Sequence, residues 1–408
     1  MRTALVAATA LALAGGSAVS AVAAQGGHSS TARSSASQDF RRACAVTHQT
    51  GTMACMALIR DGIRQQTEAA VGNKAPVGDG YGPSQLISAY KLPKATKVLN
   101  VAVVDAYNDP NAVSNVATYR KAWGLAACNK STEAGCLTVT NQEGKTSPLP
   151  ANSGVTGWAT EESLDVDMVS AICPTCHVFL VEAKTPSTAN LGTGVDSAVK
   201  VLKAKFVSNS YGGSQSASDP TNDTKYYKHA GDAITASAGD DGYGVSYPAA
   251  SQFVVAVGGT TLNKTSGSRG WSESVWNGTG SGCAQANEHK PTWQKHAGCN
   301  NRIDNDVAAV ADPNTGVAIY DTYDQGGWLE VGGTSVSSPI IASVYALADT
   351  LKAGTFPSSY PYSHTSNLFD VTTGSNGSCS PAFLCHGEKG YDGPTGLGTP
   401  NGIAAFKG

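Results

Sequence analysis

Apolar residues along this chain gather into short runs separated by polar, glycine-rich stretches, and the runs are of two kinds. Val98–Val104, Val178–Val181, Phe206–Ser208 and Val254–Val257 are only a few residues long and read as buried strands. Trp158–Ala171 sets Leu164, Met168 and Ala171 at helical spacing and reads as an amphipathic helix, and Leu191–Lys203 and Pro339–Leu351 read as helices too. Strand and helix in alternation predict an α/β fold, a parallel sheet with helices on both faces. From Gly80 onward the length suits one large domain, and no internal repeat is present.

Chemistry enters at Gly333-Thr334-Ser335-Val336-Ser337-Ser338-Pro339. The strand-like approach Gly327–Gly332 ends in small residues, so Ser335 falls where strand gives way to helix. A hydroxyl there reads either as a nucleophile or as an ordinary helix cap, since Ser and Thr satisfy free amides at that place. Subtilisin-like peptidases share this turn but take their base from a histidine followed by Gly-Thr. None of the eight histidines here is followed by that pair. The search for a base therefore moves to carboxylates.

Glu161 and Asp165 share one face of the predicted helix at i and i+4. Such a pair costs roughly 0.2 to 0.5 kcal/mol unless water screens it or a proton is shared. It reads as a proton-sharing pair or as a solvated acidic face. A third acid follows the apolar run Ala233–Ala238 in Gly239-Asp240-Asp241-Gly242, which by itself reads as a turn.

Taken in order, Glu161-x-x-x-Asp165, Gly239-Asp240-x-Gly242 and Gly333-Thr334-Ser335 resemble the sedolisin family of serine-carboxyl peptidases. The resemblance extends over Gly80-Tyr81-Gly82-Pro83, Val103-Val104-Asp105, Ser208-Asn209-Ser210-Tyr211-Gly212-Gly213, Val255–Thr261 and Gly390–Pro400. It implies a subtilisin-like, doubly wound α/β domain over residues 80–408. It also implies that Ser335 attacks the scissile carbonyl, that Glu161 takes and returns the proton, and that Asp165 orients Glu161. Asp240 would stand in the oxyanion hole as a neutral acid, so that it donates to the developing negative oxygen. A carboxylate base implies activity in acid. Glu162 and Asp241 are the alternatives if the motif register slips by one. Asp105, with no histidine to orient, reads as structural or rim-lining.

The same resemblance implies substrate backbone contacts at Ser208, Ser210, Tyr211 and Gly212. It further implies one structural Ca²⁺ held by the carboxylates of Asp370 and Asp392 and the carbonyls of Val371, Glu388 and Gly390, hard oxygen donors of the kind Ca²⁺ takes.

Residues 1–24 carry Arg2, an apolar run too short to cross a bilayer, and Ala21-Val22-Ala23, which together read as a secretory signal peptide. Residues 25–79 read as a short pre-segment or arm, too short for the long folded prodomain frequent among sedolisins. Ten cysteines suit an oxidising destination. Near neighbours suggest the pairs 44–55, 128–136, 173–176, 283–299 and 379–385, although spacing does not determine connectivity. Cys173-Pro174-Thr175-Cys176-His177 also has the c-type haem spacing. A net charge of −3 offers no basic face for nucleic acid. The expectation is a secreted monomer acting on protein or peptide substrates, with no membrane anchor. A secreted binding protein on the same scaffold is the alternative, and the choice between endopeptidase and tripeptide release is open.

Overall fold

Strand β4 (Asn100–Ala106) is buried on both faces, and its alternate residues serve two cores. Val101 and Val103 pack with Leu164, Val169, Val336 and Ile340. Ala102 and Val104 pack with Leu191, Val195 and Ala198. A strand period of two, apolar on each side, produces the unbroken hydrophobic run seen in the sequence. The computed structural model describes residues 40–47, 49–61, 80–127, 137–285 and 288–408, all in one compact unit. The expected signal peptide and the Cys128–Cys136 pair lie outside the described residues.

The central sheet runs β11 (Trp271–Val275), β10 (Val255–Lys264), β9 (Ala233–Ser237), β7 (Phe206–Asn209), β4, β6 (His177–Ala183), β5 (Leu137–Asn141), with β14 (Val307–Val310) also joined to β10. Its pairings are parallel except for β10 with β11. After α1 (Pro83–Ala89) and α2 (Ala112–Ala122), helix α3 (Trp158–Ile172) shares one face of the sheet with α5 (Thr334–Ala348), and α4 (Thr188–Lys200) covers the other. The fold is thus α/β and doubly wound, with a mainly parallel sheet. Helix α4 starts three residues before the predicted Leu191 because Ser187 caps it, its Oγ accepting from the Asn190 N–H at 3.3 Å.

Two helices depart from expectation in ways that shape the site. All fifteen residues of α3 are buried, so it has no solvated face. It is enclosed by α2, α5, β4 and β15 (Val317–Asp321). Helix α5 begins at Thr334 rather than at Pro339, which sits in its interior. Proline has no N–H to give the carbonyl four residues back, so the Ser335 carbonyl lacks its helical donor. It lies 3.4 Å from Ser210 Oγ instead.

The described part of the pre-segment is built into the body. β1 (Phe40–Arg42), β3 (Leu58–Arg60), β16 (Gly327–Gly332) and β15 form a four-stranded antiparallel sheet. β2 (Ala54–Cys55) pairs antiparallel with β8 (Tyr211–Gly212). Small ladders complete the chain, β12 (Gly282–Cys283) with β13 (Ile303–Asp304) and β17 (Leu368–Phe369) with β18 (Thr399–Pro400). Disulfides join Cys44–Cys55, Cys173–Cys176, Cys283–Cys299 and Cys379–Cys385. With Cys173 and Cys176 bonded to each other, their sulfurs are not free for haem. No helix among the described residues is long and apolar enough to cross a membrane.

Candidate active site

The site forms where the carboxyl ends of β7 and β9 meet the first turn of α5, with α3 alongside. Ser335 is the second residue of α5 and fully buried. Its Oγ donates to the Ser210 carbonyl at 3.2 Å. Ser210 Oγ in turn donates to Asp165 Oδ1 at 2.7 Å. The nucleophile candidate and the acid pair are thereby joined through one residue just beyond β7.

Glu161 and Asp165 are both fully buried, one helical turn apart on α3. Burial first, then the like charges of Asp165, Asp105 and Asp240, raise the Glu161 carboxyl well above the usual range, while the nearby Ser335 hydroxyl lowers it. Neither Glu161 oxygen has a donor in strict hydrogen-bond geometry among the described residues, so that hydroxyl acts from a longer reach. Catalytic hydrogen bonds are often loose before substrate binds. Burial and Asp105 also raise Asp165, and the Ser210 hydroxyl opposes them. Acids so placed titrate as a set, in successive steps that belong to the group rather than to one residue.

Asp240 follows β9 through Gly239, whose φ of +109° aims the acid at the start of α5. Its Oδ1 accepts from the Thr334 N–H and the Thr334 hydroxyl, each at 2.8 Å. Its Oδ2 is buried and unpartnered among the described residues. Burial pushes this carboxyl up to about 7, against the pull of Thr334 and Arg42. Below that pH the acid is neutral and can donate. Gly333 makes room for it: φ is +96°, and a Cβ there would lie 2.6 Å from Asp240 Oδ2 and closer still to the Met56 carbonyl oxygen.

The neighbouring acids are turned elsewhere. Asp241 is mostly exposed and pairs with Arg42 at 2.5 Å. Glu162 points toward β6, its Oε2 accepting from the Asp109 N–H at 2.9 Å beside Glu182. Among the expected substrate contacts, Ser210, Tyr211 and Gly212 lie along one edge. Ser208 does not join them: it is inside the parallel ladder between β4 and β9, and its hydroxyl is 2.9 Å from Ser338 Oγ beneath α5.

Asp105 is no rim residue. It is fully buried, without a partner on either oxygen among the described residues, and burial raises it to about 8. Its charge bears on Glu161, Glu162 and Asp165 alike. Its place at the carboxyl end of β4, where sites on such sheets gather, was the signal that could have revealed this. Together with Asp109, raised to about 7, and Glu182, raised to about 9, it makes a dense acid cluster.

These acids give stability a definite pH sign. Unfolded, they ionise near pH 4; folded, they hold their protons to pH 7 or beyond, so the native state binds more protons between those limits. Stability is therefore greatest in acid and is lost as pH rises toward the folded values. A carboxyl that ionises one pH unit higher in the folded chain than in the unfolded one contributes about 1.4 kcal/mol in acid. Even with strong coupling, the melting temperature should fall by on the order of 10 °C from pH 4 to pH 7. A flat melting profile over that range would sink this account.

Around the expected ion site, Asp392 is buried; its Oδ1 accepts from the Thr395 N–H and hydroxyl and its Oδ2 from the Glu388 N–H. Asp370 Oδ2 accepts from the Gly390 N–H at 2.9 Å. Burial raises Asp392 to about 8, and the Asp370 charge adds to it. The carbonyls of Val371, Glu388 and Gly390 accept no hydrogen bond from a described residue. Two carboxylates near enough for one to feel the other's charge, and three carbonyls without a donor among the described residues, are oxygen donors of the kind a hard cation takes. Among the described residues no group of three His, Cys, Asp or Glu side chains forms a metal cluster, so the carbonyls would have to complete the set.

Comparison with known proteins bears on the family and the fold. Residues 152–359, a little over half the chain, match the Subtilase family (Peptidase_S8). Sedolisin from Pseudomonas sp. (strain 101) is 26% identical, the match covering 83% of this chain and 61% of that protein. Kumamolisin from Bacillus sp. (strain MN-32) is 28% identical, covering 83% and 65%. The chain thus spans under two thirds of either relative's length. The solved Pseudomonas sedolisin, a serine-carboxyl proteinase complexed with two molecules of pseudo-iodotyrostatin, superposes with a TM-score of 0.65 over 80% of this chain and 96% of that one, at 24% identity, and shares the fold. The chain belongs to the subtilase family, and within it to the sedolisins.

Proposed function

We propose that this protein is an exported serine-carboxyl endopeptidase that hydrolyses protein or peptide substrates in acid. One observation carries the reading: Ser335, Glu161, Asp165 and Asp240, spread over 175 residues of sequence, are all buried in one neighbourhood, where Glu161 feels Asp165, Ser335 and Asp240 and burial holds Asp240 near 7 beside the nucleophile's helix turn. In this reading Ser335 Oγ attacks the scissile carbonyl while Glu161 takes its proton, then returns it to the leaving amine. Asp165 shares the Glu161 proton and is held by Ser210. Protonated Asp240 donates through Oδ2 to the oxyanion, with Thr334 fixing Oδ1. The apolar leader and the disulfides support export.

The test is digestion of a denatured protein between pH 3 and pH 8, with the site of a serine-directed phosphonate label mapped afterwards. Digestion confined to acid and a label on Ser335 are expected. Activity peaking near neutrality would remove the carboxylate base, and the absence of both digestion and label would favour the binding scaffold.

Asp370, Asp392 and the carbonyls of Val371, Glu388 and Gly390 are proposed to hold one Ca²⁺. The ion would neutralise the paired carboxylates and tie residues 370–371 to 388–392. At free Ca²⁺ of about a hundred times Kd, binding adds about 2.7 kcal/mol to stability. Chelation should lower the melting temperature, calcium should restore it, and Asp392→Asn should abolish the response. A melting temperature indifferent to chelator would count against the site.

A further inference from the structure

The pre-segment reaches the acid proposed for the oxyanion hole. Arg42, the last residue of β1, donates through Nη2 to the Asp240 carbonyl at 3.1 Å and pairs with the Asp241 carboxylate at 2.5 Å. One guanidinium thereby grips both acids of the turn that follows β9. Thr334 meanwhile bonds Asp240 Oδ1 from the first turn of α5. The acid is thus held twice, through its side chain by α5 and through its backbone by β1.

The strand that carries Arg42 is built into the same wall. β1 pairs with β3, and β3 pairs with Val331 and Gly332, the strand leading into Ser335. Between β2 and β3 the segment passes in front of that serine, the Met56 N–H donating at 3.3 Å to the Ser210 carbonyl that also accepts from Ser335 Oγ. Cys44 is disulfide-bonded to Cys55, and Ala43 N–H donates to the Ala57 carbonyl at 2.9 Å. Gly157, at the N-cap of α3, has a φ of +85°, and a Cβ there would lie 2.0 Å from the Ala43 carbonyl oxygen. Only glycine lets the chain leaving β1 press on the start of the helix that bears Glu161 and Asp165.

With the Arg42 side chain 25% exposed and that of Asp241 72% exposed, their ion pair by itself adds little to stability. What it does is fix a cation beside a buried acid. The charged groups that bear on Asp240 are Arg42 from β1, Asp241 beside it and Glu161 from α3, while Gly333 and Thr334 of α5 bring no charge. Arg42 favours the ionised form of Asp240, and Asp241 favours the neutral one. We infer that Arg42 is a positioning residue for the proposed oxyanion acid, supplied by the pre-segment, which holds the Asp240 turn against the start of α5. The inference rests on the peptidase reading above. Two effects follow, one of geometry and one of charge. With its carbonyl released, the turn loses its second anchor, and Asp240 Oδ2 is aimed less well even in acid. With the cation gone, the carboxyl keeps its proton, and with it the power to donate, to higher pH.

The experiment measures kcat and KM on a peptide substrate from pH 4 to pH 9 for the full chain and for Arg42→Met, Arg42→Lys and Asp241→Asn, with melting temperature as the control for folding. Arg42→Met keeps the length of the side chain without its charge or its donors. It should lower kcat at pH 4 by about tenfold with KM little changed, and move the alkaline limb of kcat upward by about half a pH unit. Asp241→Asn removes a charge that opposes ionisation of Asp240, so its limb should move downward. Arg42→Lys should return the limb to its wild-type position. An active wild type whose kcat and limb are both unmoved in folded Arg42→Met would overturn the inference and leave the peptidase reading standing. So would limbs that move the same way in Arg42→Met and Asp241→Asn, the mark of a general disturbance rather than of charge. If the wild type cleaves no peptide at any pH, the peptidase reading falls, and this inference with it.

Discussion

Ser335→Ala should abolish measurable peptide hydrolysis at pH 4, and Glu161→Gln should lower kcat by about 10²- to 10⁴-fold, the range that a positioned general base supplies. Alanine removes the hydroxyl proposed to form the acyl bond. Glutamine keeps the size of Glu161 in a fully buried helix but can neither take nor return a proton. Because the two act as one unit, the double variant should be scarcely worse than Ser335→Ala alone. Steady-state kinetics on a peptide substrate, with melting temperature as the control for folding, decides this. Retention of kcat in folded Glu161→Gln would mean that another group is the base, and Asp165, one turn away, would be next in line.

Asp240 should separate donor strength from titration. Asp240→Ala removes the proposed oxyanion donor and should cost about 10²- to 10³-fold in kcat. Asp240→Asn keeps an N–H donor at every pH. In the wild type the carboxyl is held near 7 by burial, so its donating form is present in acid and lost as pH rises through that value. Activity should therefore decline along an alkaline limb near pH 7. In Asp240→Asn that limb should move upward, since an amide does not ionise. A limb unmoved by the substitution would show that the Glu161, Asp165 and Asp105 set controls it instead. Thr334 holds Oδ1 in both the acid and the amide, which keeps the comparison geometric as well as chemical.

Much of the architecture was legible in the chain because it follows from local periods. Runs such as Val101–Val104 are apolar at every position because both faces of a parallel sheet are covered, and strand–helix alternation follows from crossovers between parallel strands. Gly333-Thr334-Ser335 was legible for a related reason: only glycine allows the close approach at position 333, so the turn that positions the serine has a compositional mark. Likewise, near cysteine pairs were foreseeable where short loops bring them together, as at Cys173–Cys176.

Other features depended on which segments come together from far along the chain. The acids of α3 could be read as a solvated face, because the sequence does not state that α2, α5 and β15 close around that helix. The distinction between Glu161 and Glu162 is a matter of which neighbour each faces, Ser335 on one side and Asp109 with Glu182 on the other. Asp105 entered the cluster only when β4 was set beneath α3, and the presence of Met56 over Ser335 required a strand pairing across more than 150 residues. Periodicity and turn chemistry, being local, determined the elements and marked Ser335 as the candidate nucleophile. Burial, mutual charge and the segment that lies in the cleft depend on distant groups, so the tertiary structure alone decided which acids are held above the usual carboxylate range and what lies in front of them.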